Sequence, residues 1–368
     1  MLRSLFIPFA LFFSVVACAS AEIKYANNFE IEAFETHALI AVRNTWVGAG
    51  EDSQLYALVP KAAKTLPELP HGAIVVRTPV ERLVIMSTVF LGPIQDLGLH
   101  DSLVGIAYID YANDPIARKR VEQGLAKEVQ SGTAMDIESM LLIEPDLILT
   151  STSGNPAFDI HPQMLRAGLP VVVAASYMEE HPLGRTEWIK FVAAFYGKEA
   201  RAEEIFDRVE SRYLELAALA AKVENRPTVM VNAPFGGIWH VTGGKGYTAR
   251  ALLDAGADYL WADNQSRGGV PLDFEVVLKK AAAADYWINP SSYKSISALL
   301  SADERFAGYR PTHEKTVYNK TRRENEKGGN DIYERGVSHP EEVLADLIKI
   351  FHPELVPEHE FVFYEQLQ

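Results

Sequence analysis

Two acidic signatures in this 368-residue chain carry the most pointed chemistry: Asp136-Ile137-Glu138 and Asp273-Phe274-Glu275. Each is followed by apolar residues (Met140 and Leu141; Val277 and Leu278) and then by a strand-like run, Asp146 to Leu149 or Asp285 to Ile288. Both read as a first helical turn in which a carboxylate complements the positive end of the helix dipole. That role explains one glutamate. It does not explain why both halves of the chain present the same outward acid, which suits two similar lobes docking on a basic partner.

Other chemistry is thin. There is no G-x-S-x-G nucleophile elbow and no H-E-x-x-H pair, and Gly243-Gly244-Lys245-Gly246 lacks the spacing and the Ser or Thr of a phosphate loop. No catalytic residue is assigned. The ten histidines, from His37 to His359, lack ligand spacing and no metal site is assigned, although three could converge in space. Aromatic residues gather where loops should follow strands: Tyr108, Tyr111, Tyr177, Trp239, Trp261 and Tyr333. In an open α/β sheet a ligand sits outside the carboxyl ends of the strands, so these could line a cleft, though each also suits a core. Lys315, Lys320, Arg322, Arg323 and Arg335 interrupt an acidic chain. They read either as solvated loop residues or as a cationic wall toward an anionic ligand.

These residues need a scaffold, and its outline repeats. Glu81–Ser87 reads as a strand, Phe90–Leu97 as a helix stopped by Gly98, and Leu103–Tyr108 as the next strand. Thr228–Asn232 and Tyr247–Ala255, stopped by Gly256, repeat that order. Strands alternating with helices predict parallel sheets with helices on their faces, one sheet per half. Between the halves, Glu187–Val223 is largely helical, with Ile205, Val209, Tyr213 and Leu216 on one face. A helix from Arg201 to Lys222 would span about 30 Å, enough to join two lobes stiffly or to lie on the surface of one.

Composition bounds the rest. A 48% hydrophobic, 23% charged chain can bury a core, and its length favours about two domains. The net charge of -14 argues against a nucleic-acid partner. One cysteine cannot make a disulfide framework or a thiolate zinc site. Arg3 and the apolar run Leu5–Val16 read as an export signal, too short to span a bilayer. Ala19-Ser20-Ala21 would allow cleavage after residue 21. Val15-Val16-Ala17-Cys18 would instead make residues 1–17 the signal and Cys18 a lipidated first residue. The expected domains are 22–185, a connecting helix at 186–225, and 226–368.

Export signal, two α/β lobes, a long connecting helix and the paired Asp-x-Glu helices together resemble the substrate-binding proteins of bacterial ABC importers for iron-siderophore complexes, haem and vitamin B12. The more specific stretches are GTAMDIESMLLIEPDLIL (132–149), EEHPLGRTEWIKFVAAFYG (179–197), GGKGYTARALLDAGADYLW (243–261) and NDIYERGVSHPEEVLADLIKIFHPEL (330–355). The resemblance implies two Rossmann-like lobes with a ligand cleft between them, and a monomeric periplasmic receptor, soluble or lipid-anchored. It implies no resident cofactor; the ligand would be a ferric siderophore foremost, with haem or cobalamin as further candidates. Glu138 and Glu275 match the acids that pair with arginines of an inner-membrane permease dimer. Tyr177, Trp239, Trp261, Arg322, Arg323, Tyr333 and Arg335 are the expected ligand contacts. A bare zinc or manganese receptor and an exported hydrolase are the alternatives.

Overall fold

A computed structural model describes residues 22–368 except 51–52, 133–134, 156–158 and 160. The two cleavage readings and Cys18 lie outside the described residues. The N-terminal lobe holds strands β5 (Leu83–Ile85), β6 (Leu103–Ala107), β7 (Lys127–Gln130), β8 (Leu147–Thr150) and β9 (Val171–Val173), all parallel, in the order β7-β6-β5-β8-β9. Around them run helices α1 (Leu91–Leu97), α2 (Pro115–Glu122), α3 (Ile137–Ile143) and α4 (His161–Arg166). Leu83 and Ile85 enter one apolar cluster and Val84 another. The central strand is thus buried on both faces, which is why it reads as a continuous apolar run.

Two features precede and follow this lobe. Four strands that the sequence reading did not anticipate, β1 (Phe29–Ala33), β2 (Ala38–Val42), β3 (Gln54–Pro60) and β4 (Ile74–Thr78), form a separate sheet in that order. The expected connecting helix is a relay of α5 (Pro182–Thr186), α6 (Trp188–Ala194) and α7 (Glu199–Ala220). The interruption falls at Gly197, whose φ of 63° leaves the helical region in a conformation that glycine adopts without strain. At 22 residues α7 is the longest helix among the described residues. Ile205, Val209, Tyr213 and Leu216 are buried, as their spacing requires.

The C-terminal lobe contains β10 (Thr228–Val231), the hairpin β11 (Pro234–Phe235) and β12 (Ile238–Thr242), then β13 (Asp258–Tyr259), β14 (Gly269–Asp273), β15 (Tyr286–Ile288), β16 (Val317–Asn319) and β17 (Glu365–Gln366). Its helices are α8 (Tyr247–Asp254), α9 (Phe274–Ala281), α10 (Ile296–Ala302), α11 (Arg310–Glu314), α12 (Arg335–Ser338) and α13 (Pro340–Phe351). The main sheet runs β13-β10-β15-β16-β17, parallel until β17, while β11-β12-β14 make a small antiparallel sheet. The strand order β6-β5-β8-β9 of the first lobe is repeated as β13-β10-β15-β16 in the second. The repeat legible in the acidic signatures is therefore a repeat of topology.

Helix α7 ties both ends together. Tyr25 donates from its hydroxyl to Glu210 at 2.7 Å, and Tyr213 donates to Asp254 of α8 at 2.8 Å. Fully buried Glu187 accepts the backbone N–H groups of Lys24, Tyr25 and Ala26, and Lys190 beside it balances the charge. Buried Asp346 of α13 does the same for Val362, Phe363 and Tyr364. A buried carboxylate is tolerable when backbone donors and a cation satisfy it.

Candidate functional site

The carboxyl edges of the two sheets meet across a cleft. After β6, the segment Asp110–Asn113 touches Asn325–Glu334, which follows β16. Asn325 Nδ2 donates to the carbonyls of Asp110 and Ala112 at 3.1 and 3.2 Å, and the N–H of Asn113 donates to the Glu334 carboxylate at 2.9 Å. Gly329 is required here, because a Cβ would lie 2.0 Å from the Tyr111 carbonyl oxygen. At the other rim Arg267 pairs with Glu180, which follows β9. Burial pushes the Glu334 carboxyl up to about 7, against the lowering effect of the Asn113 donors.

The N-terminal wall carries Tyr177, one of the expected contacts. Its ring is 37% exposed, but its hydroxyl is committed to the carbonyls of Thr45 (3.0 Å) and Thr152 (2.6 Å), and burial raises its pKa to about 12. The same loop brings Trp46 against Gly154, close enough that any side chain there would strike the indole. Trp46 was missed from sequence because the sheet that supports its loop was missed.

The C-terminal wall opens into a pocket of about 100 Å³. It lies where α5 meets α8, α12, α13 and the carboxyl ends of β15 and β16, and is lined by Arg185, Tyr247, Asn289, Lys320, Tyr333 and Tyr364 among others. The Arg185 guanidinium sits 4.0 Å from the centre of the Tyr247 ring, and Lys320 Nζ sits 4.7 Å from that of Tyr333. The positive field of Arg185, opposed by burial and helped by Lys320, lowers the Tyr247 pKa. Tyr333, one of the expected contacts, lines this pocket and is 47% exposed. Arg185, Tyr247 and Asn289 had not been assigned. Asn289 was within reach of the sequence, since it directly follows the predicted strand Asp285–Ile288, and Lys320 was named there in the basic cluster.

Other expected contacts are placed elsewhere. Trp239 is fully buried among Trp287, Phe274, Phe306 and Tyr309, with its Nε1 donating to the Val231 carbonyl at 2.9 Å. It is a core residue, because the strand alternation of Ile238–Thr242 turns Trp239 and Val241 inward. Trp261 is likewise buried, against Tyr259 and under Lys280. Arg323 is paired with Asp331, and Arg335 holds Glu342 through two hydrogen bonds of 2.8 and 2.5 Å. Both are spoken for within the lobe, while Arg322 is exposed and outside the pocket lining.

Glu138 and Glu275 occupy the same place in the two lobes, the second position of α3 and of α9, in both cases exposed. Apolar neighbours share their helices: Leu141 and Leu142 in α3, Val276 in α9. The tip of the β11–β12 hairpin adds exposed Phe235, and Ile238 pairs with Asp273 directly before α9. Among the described residues, no three His, Cys, Asp or Glu side chains are grouped to hold a metal ion, and no helix is long and apolar enough to cross a membrane.

Comparison with known proteins fits this geometry. A family model described as periplasmic binding protein matches residues 84–319. An uncharacterized lipoprotein of Methanocaldococcus jannaschii is 26% identical over 310 residues, covering 80% of this chain and 70% of that protein. Among solved structures, a periplasmic heme binding protein from Pseudomonas aeruginosa superposes with a TM-score of 0.58 at 19% identity, covering 78% of this chain and 98% of that one. A periplasmic binding protein from Veillonella parvula gives 0.59 at 15% identity, covering 89% and 98%. These structural likenesses show a shared fold.

Proposed function

We propose that this chain, which belongs to the periplasmic binding protein family, is a non-catalytic receptor that captures a metal chelate between its lobes and delivers it to an ABC permease dimer in the inner membrane. A ferric siderophore is the leading ligand. The observation that carries the reading is the pair of α/β sheets with one strand order, whose carboxyl edges face each other across a cleft joined by helices rather than by flexible strands. Such an edge is where open α/β sheets bind ligands, and two of them opposed can enclose a chelate.

The walls suit an anionic, partly aromatic ligand. Tyr177, Trp46 and Tyr333 offer ring surface, and the second lobe contributes positive charge. Glu138 and Glu275, each beside exposed apolar side chains, supply two matched contacts for a permease with basic clusters. The likeness to a heme binding protein keeps haem in the panel to be tested, and cobalamin remains with it.

Fluorescence titration of the purified protein against ferric siderophores, haem and cobalamin tests the proposal. Trp46 at the N-terminal wall is the expected reporter, whereas buried Trp239 and Trp261 should respond little. Saturable binding of one class, with its uptake by cells carrying a matching permease, is the expected result. Absence of binding to every chelate overturns it.

A further inference from the structure

Most cations near the cleft have acidic partners: Arg323 has Asp331, Arg335 has Glu342, Arg250 has Asp254 and Arg267 has Glu180. Arg185 and Lys320 differ. Among the described residues neither forms an ion pair, although acids outnumber bases by 49 to 35 in the chain. Both face the pocket at the carboxyl ends of β15 and β16, each over a tyrosine ring, and among the described residues no acid lines that pocket. Two of its lining residues each carry a buried polar atom without a hydrogen-bond partner among the described residues: Arg185 Nε, a donor, and Asn289 Oδ1, an acceptor. Asn289 also holds a left-handed backbone conformation, φ 59°, at the strand end. Buried polar groups without partners are uncommon and costly, so a donor and an acceptor left unpaired on residues that line one pocket ask for a guest that supplies both.

We propose that this pocket is a subsite for a hydroxycarboxylate arm of an organic anion, with Arg185 and Lys320 holding the carboxylate and Asn289 Oδ1 accepting the adjacent hydroxyl. Arginine's planar fork matches the two oxygens of a carboxylate, and lysine adds a point charge at the mouth. The pocket has room for about three water molecules' worth of atoms. It therefore takes an arm and leaves the body of the ligand outside, over Tyr333. A phosphate is the poorer fit, because it needs donors around three oxygens and the remaining wall is apolar: Pro182, Ile288, Ile332 and Val337.

The class of arm deepens the receptor reading and rests on it only for what the arm is attached to. Calorimetric titration with malate, succinate and inorganic phosphate at low salt probes the pocket directly. The wild-type protein should bind malate saturably, succinate more weakly for want of the hydroxyl, and phosphate weakest. Arg185→Met and Lys320→Met should each weaken malate at least tenfold. Lys320 lies at the pocket mouth, so its variant keeps the fold; circular dichroism verifies both. No saturable malate binding, or equal binding by the variants, overturns the subsite. Succinate binding as tightly as malate removes the role of Asn289, and phosphate binding tightest overturns the ligand class. If malate behaves as expected but no chelate binds, the receptor reading fails and the subsite stands. Chelates that bind equally with and without a hydroxycarboxylate, alongside inert malate, give the reverse.

Discussion

The two lobes share a strand order but finish their carboxyl edges in opposite ways. At the N-terminal edge the polar groups serve one another: Tyr177 bonds Thr45 and Thr152, and Asp159 accepts from the backbone of Ser153 and Gly154. At the C-terminal edge Arg185 and Lys320 line a pocket without an ion pair among the described residues, and Arg185 Nε and Asn289 Oδ1 have no hydrogen-bond partner among them. On the proposed function, the saturated edge would offer shape and ring surface, whereas the unsaturated one would read charge. The equivalence of the lobes is instead kept on the outer face, where Glu138 and Glu275 hold matching positions. Duplication thus survives where a two-fold partner would require it and has been lost where a single asymmetric ligand would sit.

The largest effect should come from breaking that outer equivalence. Changing Glu138 and Glu275 together to alanine should reduce cellular uptake by an order of magnitude or more, with chelate affinity and the unfolding midpoint nearly unchanged, since exposed charges contribute little to folding. Arginine at both positions should be worse still, as like charges would then oppose each other across the interface. A double variant that loses chelate affinity while docking normally would move both acids into the ligand site.

Within the lobes, Trp239→Ala should cost about 3–5 kcal/mol of stability, as expected for deleting a large buried ring, and Trp239→Phe should leave chelate affinity unchanged. Urea unfolding and titration measure the two. This residue also marks how far the sequence could be read. The alternation of Ile238–Thr242 already pointed Trp239 inward, and only the pull of a loop-rich, aromatic neighbourhood suggested a cleft position. The acid-helix-strand repeat was legible because it is local in sequence. The Arg185–Lys320 pair was not, because 135 positions separate residues that meet only when α5 docks on the second lobe. The N-terminal sheet was missed for a different reason: its strands precede the repeat and have no counterpart in the second half to draw attention to them.

The rim joining the two edges should respond to pH. Glu334 has its pKa raised by burial from the ordinary glutamate range to about 7, with Asp331 adding to the rise. A carboxyl whose folded pKa exceeds its unfolded value stabilises the fold when protonated, so this contribution is full below about 4.5 and is lost as pH rises toward 7. His339, on the next helix boundary, is held up to about 9 by Asp96 and Glu341 despite burial. Its stabilisation is full below about 6.5 and disappears as pH rises through 9. Stability should therefore fall in two stages between pH 5 and pH 9, by about 2–3 kcal/mol for the first. Glu334→Gln should flatten the first stage and leave the second, and His339→Gln should do the converse. Chemical denaturation across that range checks both, and an unchanged slope in the glutamine variant at 334 would remove the buried carboxyl from the rim.

The paired changes Tyr177→Phe and Tyr333→Phe give the smallest expected effects and the most direct test of the contrast between edges. Tyr177→Phe removes one hydroxyl that donates to two carbonyls; the Thr45 carbonyl keeps the Thr152 hydroxyl as a donor at 3.1 Å, so only the Thr152 carbonyl loses its tyrosine partner outright. The cost should be about 1–2 kcal/mol, the range for a partly buried acceptor left unpaired. The ring remains, so malate and chelate affinities should stay within twofold. The matching change at the other edge, Tyr333→Phe, removes a hydroxyl with no hydrogen bond among the described residues and keeps the ring beneath Lys320. It should leave stability unchanged. If Tyr177→Phe instead spares stability and weakens the chelate tenfold, the hydroxyl turns from the two carbonyls toward the ligand. The N-terminal edge would then read polarity as the C-terminal edge does, and the division of labour between the lobes would be wrong.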